Sequence, residues 1–121
     1  ALGAVGEWMY AHILGIRAAP DAPGYRHFFI DPAPGGSLSW AAGTYHSVAG
    51  AISVSWKREG AAYTYRVEVP ANTTATMTLP TGKPVTESGT PVAKAMGVAL
   101  LDRKAGSTRM LLQSGSYVFT Y

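Results

Sequence analysis

Two hydrophobic rhythms run along this chain and divide it near residue 18. In the opening ALGAVGEWMYAHILGI, Leu2, Val5, Met9, Ile13 and Ile16 recur at steps of three and four, with Ala4, Ala11 and Leu14 on the opposite side. That spacing predicts a helix that is apolar nearly all round, charged only at Glu7. Gly3, Gly6 and Gly15 each cost such a helix roughly 1 kcal/mol relative to Ala, which fits a backbone crowded by neighbours on several sides. The later sequence offers no such neighbours and no capping residue precedes Ala1, so the segment is expected to belong inside a larger protein.

Pro20, Pro23 and Gly24 end the helix and turn the chain, and from there the period falls to two. Tyr25 to Ile30 reads as a short aromatic strand, followed by the rigid loop Asp31 to Gly36 and a second strand from Leu38 to His46. Ile52, Val54 and Trp56 then alternate with Ser53, Ser55 and Lys57. Tyr63, Tyr65, Val67 and Val69 alternate with Thr64, Arg66 and Glu68 after the short Glu59 to Ala61 connection, so the two runs predict a hairpin. Beyond a turn at Pro70 to Asn72, Ala75, Met77 and Leu79 face one way and Thr74, Thr76 and Thr78 the other. Shorter strands are expected at Val85 to Glu87, Val98 to Asp102, Arg109 to Gln113 and Tyr117 to Tyr121. Turn residues recur about every 8 to 12 positions with no helical pattern between strands, which predicts an antiparallel β-sandwich and disfavours a parallel α/β sheet. The expected organisation is a terminal helix over 1–17, a linker over 18–24 and a sandwich over 25–121. The sandwich is expected to fold on its own from Pro23 onward.

With 121 residues and 47% hydrophobic content, the chain supports one core. The opening helix spans only about 24 Å and carries Glu7 and His12, so no membrane span is expected, and neither a basic start nor an Ala-x-Ala exit marks a signal peptide. The lack of cysteine removes disulfides, thiolate metal sites and cysteine nucleophiles, yet leaves the compartment open. The net charge of +3 arises from ten dispersed basic residues without a basic run, so nucleic-acid binding is not expected.

In combination, ALGAVGEWMY, ILGI, PGYRHFFIDP, PANTTATMTLP and VTESG resemble the carboxy-terminal portion of bacterial α-L-rhamnosidases, glycoside hydrolase family 78, over nearly the whole chain. The resemblance implies that the opening helix is the last helix of an (α/α)6 catalytic barrel and that the remainder is the β-sandwich closing the polypeptide. It implies a parent that hydrolyses terminal α-L-rhamnose with inversion, using an acid, a base and a sugar-contacting His that all precede Ala1. Glu7 does not match the family's base, which belongs to an earlier Trp-Glu motif. No catalytic, cofactor or metal residue is therefore assigned in this chain, and its implied partner is the catalytic barrel of the same parent, with rhamnoside reached only through that parent. PGYRHF is the expected contact segment. The apolar helix face of Leu2, Val5, Trp8, Met9, Ile13 and Ile16 is expected to leave surface for a helix-mediated homodimer.

Inverting hydrolysis needs two carboxyl groups about 6.5 to 9.5 Å apart. The seven acids, Glu7, Asp21, Asp31, Glu59, Glu68, Glu87 and Asp102, show no converging pair, and Glu7 reads as an interior Glu paired with an Arg. His12, His27 and His46 lack i,i+4 or HxH spacing, and His27 reads as a hydrogen-bonded core or interface residue. Among Trp40, Tyr45, Trp56, Tyr63, Tyr65 and Tyr117, alternation points Trp56, Tyr63 and Tyr65 inward with Ile52, Val54 and Val67. Trp40 and Tyr45 are unconstrained; their joint exposure would favour a rival reading, a carbohydrate-binding module. A fibronectin-like interaction domain without sugar binding is the third reading. Asn72-Thr73-Thr74 matches a glycosylation pattern and is read as a turn.

Overall fold

Alternation becomes pleat wherever the sequence repeats every second residue. The computed structural model describes residues 14–18, 26–34, 38–47 and 50–121. Within them lie β1 (Ile16–Ala18), β2 (Arg26–Ile30), β3 (Trp40–Ser47), β4 (Gly50–Glu59), β5 (Ala62–Val69), β6 (Thr73–Leu79), β7 (Thr86–Glu87), β8 (Thr90–Pro91), β9 (Val98–Lys104), β10 (Ser107–Leu112) and β11 (Gly115–Thr120). A single 3-10 turn, Val92–Lys94, is the helical element among the described residues. The strands form a five-stranded sheet, β1-β2-β6-β10-β9, and a six-stranded sheet, β3-β4-β5-β11-β7-β8.

The expected hairpin is β4-β5, with Glu59 opposite Ala62 across a Gly60-Ala61 turn in which Gly60 takes φ +64°. The turn expected before β6 is made by Asn72 at φ +57°, a left-handed position that Asn tolerates. Inner faces of both sheets meet in one core: Phe28, Ile30, Ala75, Met77, Leu79, Met110 and Leu112 from one, and Ile52, Val54, Trp56, Tyr65, Val67, Tyr117 and Phe119 from the other. Trp56 Nε1 is buried without a hydrogen-bond partner among the described residues.

Two expectations are corrected. The sandwich is not wholly antiparallel, because β2 pairs with β6 in parallel, His27 opposite Thr74 and Phe29 opposite Thr76. Between them β3-β4 and β4-β5 pair antiparallel in the other sheet, so the chain leaves β2 for that sheet and returns from it to run alongside β2 as β6. The helix expected over 1–17 is absent where the chain is described. Leu14 and Gly15 form a bend, and Ile16 begins β1, antiparallel to β2 with Ile16 opposite Ile30. Gly15 adopts φ +71°, its carbonyl accepts the Asp31 N–H at 3.0 Å, and a Cβ there would fall on the Asp31 carbonyl oxygen. An α-helix cannot run through such a residue, so pairing with β2 displaces the three-and-four rhythm. Ala18, assigned to the linker, also lies in β1.

Leu14 and Ile16, 0% and 4% exposed, thus belong to the sandwich core rather than to a separate helix. A homodimer through the helix face loses Ile16 to this core, while Leu2, Val5, Trp8, Met9 and Ile13, like Glu7 and His12, lie outside the described residues. The remainder of the linker, residues 19–24, also lies outside them.

Candidate functional site

Three of the described acidic residues form local ion pairs on separate parts of the sandwich. Asp31, just after β2, binds Arg17 at 3.0 Å, while Asp102, on the opposite edge of that sheet, binds Arg109 at 2.7 Å. Glu59 meets Lys57 at 3.4 Å, and Glu87 accepts the Ser88 hydroxyl at 2.6 Å and the Val118 N–H at 3.1 Å. Glu68 stands opposite Ser53, toward the far end of the β4-β5 hairpin from Glu59. The strand order sets these five carboxylates apart rather than against one another. Glu7 and Asp21 lie outside the described residues.

His27 is held inside its own sheet. The parallel register puts its ring between two threonines of β6, with Nδ1 2.7 Å from Thr74 Oγ1 and Nε2 2.8 Å from Thr76 Oγ1. A neutral imidazole donates at one nitrogen and accepts at the other, so one threonine receives the N–H and the other supplies a hydroxyl proton. Burial pushes the His27 pKa below its usual value. Phe29 meets this ring edge-on at 5.2 Å and lies beneath the Arg17 guanidinium at 4.4 Å. Of the expected contact segment, His27 is therefore engaged internally and Phe28 is a core residue, 2% exposed, while Pro23, Gly24 and Tyr25 lie outside the described residues. His46 is exposed on β3, and the described residues hold no group of three or more potential metal ligands.

The aromatic residues separate by strand parity. Trp56 and Tyr65 are buried as their alternation predicts, Tyr63 is only partly buried against the same core, and Tyr117 is buried as well. Tyr63, Tyr65 and Tyr121 stack, the Tyr65 and Tyr121 hydroxyls meet at 2.7 Å, and desolvation of Tyr65 drives its pKa far above the ordinary phenol range. Trp40 and Tyr45 are 65% and 36% exposed, but five residues apart on one strand they point to opposite faces. Tyr45 lies opposite core residue Ile52 and reaches Phe28 edge-on at 5.9 Å, whereas Trp40 lies opposite exposed Lys57 on the outer face. They form no common aromatic row.

Around Trp40 the outer face of the six-stranded sheet opens into a groove of about 520 Å³. Two successive rungs build it: Trp40, Lys57 and Thr64, then Ala42, Ser55 and Arg66, across β3, β4 and β5. Small Ala42 and Ser55 keep the floor low beside the indole, and Glu59 closes one end through its pair with Lys57. Residue type alone singled out Trp40; Ser55 and Arg66 join it only through cross-strand register.

Two sheets packed face to face around one core, with a shallow groove on the outer face of one, define a small β-sandwich. The chain belongs to the bacterial alpha-L-rhamnosidase C-terminal domain family, whose model matches residues 15–94. It is 39% identical over 112 residues to an alpha-L-rhamnosidase of Streptomyces avermitilis, covering 90% of this chain and 11% of that protein. An alpha-L-rhamnosidase of Formosa agariphila is 32% identical over 121 residues, covering 98% of this chain and 13% of that protein. The crystal structure of the Streptomyces avermitilis alpha-L-rhamnosidase complexed with L-rhamnose matches at a TM-score of 0.78 and 34% identity, over 100% of this chain and 11% of that one. The chain thus spans about a tenth of the length of these relatives.

Proposed function

We propose that this chain is the accessory C-terminal sandwich of a longer α-L-rhamnosidase and takes no direct part in bond cleavage. The observation that carries this reading is coverage: the chain aligns along nearly its whole length yet occupies 11% and 13% of its two rhamnosidase relatives. The separation of Asp31, Glu59, Glu68, Glu87 and Asp102 supports it, because inverting hydrolysis needs two carboxyls facing one bond across about 6.5 to 9.5 Å. Its role is to pack against the catalytic part of the parent. Exposed apolar side chains grouped at one edge suit such packing: Met96, 93% exposed just ahead of β9, and Leu100 and Leu101 on β9, the outer strand of its sheet.

Release of nitrophenol from 4-nitrophenyl α-L-rhamnoside tests the assignment. The isolated chain is expected to give the uncatalysed rate and the longer parent to turn over. Turnover by the isolated chain, or a parent inert toward α-L-rhamnosides, overturns the reading.

A further inference from the structure

We propose that the groove across β3, β4 and β5 is a subsite for one acidic pyranose unit of a glycan, its ring stacked on Trp40 and its carboxylate held by Arg66. The choice of a sugar over another ring-bearing acid rests on the rhamnosidase reading; the rest comes from the groove. Trp40 exposes 65% of its surface beside a floor of Ala42 and Ser55, so a flat ring meets the indole without a bulky neighbour in the way. A pyranose presents such an apolar face, ringed by hydroxyls. Ser55, Thr64, Lys57 and Glu59 line the same groove and supply hydroxyl, ammonium and carboxylate partners for those sugar hydroxyls.

Charge selects among sugars. Lys57 and Glu59 neutralise each other at 3.4 Å, whereas Arg66 makes no ion pair among the described residues and points outward with Ser55 and Thr64. The site therefore carries one unspent guanidinium, the side chain best shaped for two-point binding of a carboxylate. Trp40 and Arg66 lie two strands and one rung apart, about 9.5 Å across and 7 Å along the sheet, and both line the groove. Open on one side, the groove suits a unit within a chain as well as a terminal one.

The probes are trigalacturonate, with maltotriose as the neutral control, titrated into this chain while the backbone amides of Ala42, Ser55 and Thr64, which line the groove in every variant, are followed by NMR. Wild type is expected to bind trigalacturonate with a dissociation constant on the order of 1 mM at low salt and maltotriose about tenfold more weakly. Trp40→Ala should weaken both at least about tenfold, and Arg66→Gln should abolish the preference for the acid and its salt dependence. Both positions are exposed, and an unchanged melting temperature verifies folding of each variant. No saturable shift in wild type, or equal affinity in Trp40→Ala, overturns the proposal. Protection of Trp40 from acrylamide in the longer parent also overturns it, assigning the groove to a domain interface. Hydrolysis by the parent without binding here sinks the subsite alone; binding here with an inert parent sinks the rhamnosidase reading alone.

Discussion

Leu14→Ala tests whether the sandwich reaches back before residue 18. Leu14 is 0% exposed and packs in the same cluster as Ile16, Phe28 and Ile30, so truncation removes three buried carbon atoms and leaves a cavity beneath β1. Substitutions of this kind cost about 3 kcal/mol or somewhat more when the surroundings cannot collapse. For a domain of 121 residues the unfolding entropy near the midpoint is about 0.25 kcal/mol/K, so the melting temperature should fall by about 12 °C. Calorimetry on the wild type, Leu14→Ala and Leu101→Ala supplies the comparison. Leu101 is 46% exposed, and its truncation should move the midpoint by no more than about 2 °C. A Leu14→Ala shift as small as that of Leu101→Ala would refute the reasoning, because it would place Leu14 outside the cooperative core. The same logic makes a chain starting at Pro23 a poor independent folder, since it discards β1 and both buried residues.

Gly15→Ala should cost about 3 kcal/mol, from the left-handed backbone and the overlap with Asp31, whereas Gly60→Ala, at φ +64° with open space around it, should cost about 1 kcal/mol; equal losses in denaturant titrations would contradict the crowding at Gly15. Because burial lowers the His27 pKa below 6.5, the unfolded chain takes up its proton first, so this contribution to stability is complete above that pH and declines as the pH falls through the folded-state value. Melting temperatures from pH 8 to 5 should show that decline, and His27→Gln should flatten it; identical profiles would exclude His27 as the source. Tyr65 has the opposite sign: its raised pKa means that stability is intact below about pH 10 and lost above it, as unfolded tyrosine ionises. Tyr65→Phe should cost about 1 kcal/mol at neutral pH and reduce the alkaline loss followed by phenolate absorbance; an unchanged profile would show that Tyr65 ionises freely in the folded state.

Strands with one face inward were legible because burial imposes a period of two. Ile52, Val54 and Trp56, or Ala75, Met77 and Leu79, announce their face without reference to any partner. Where pairing decides, the signal weakens. Ile16 continues a helical rhythm in sequence, but Gly15 bends with positive φ and β1 adds to β2, so the glycine read as a penalty on a helix is the corner from which a strand starts. The parallel β2-β6 pair was hidden because its register joins residues far apart in the chain, and with it went the two threonines that hold His27. The opposite facing of Trp40 and Tyr45 follows from their odd separation and was open to the same parity argument that placed Trp56. Arg66 beside Trp40 required knowing that β5 lies two strands from β3.

The parallel pairing also sets a timetable for synthesis. His27 must wait for Thr74, 47 residues later, and at about 5 to 20 residues per second that segment takes roughly 2 to 9 s to make. Through that interval Phe28 and Ile30 have no β6 to cover them, while the β4-β5 hairpin completes from neighbouring sequence. The first two strands of this sheet are thus secured only once β6 emerges, and β9 and β10 complete the sheet after it. A nascent chain paused between β5 and β6 would present that strand to chaperones and proteases.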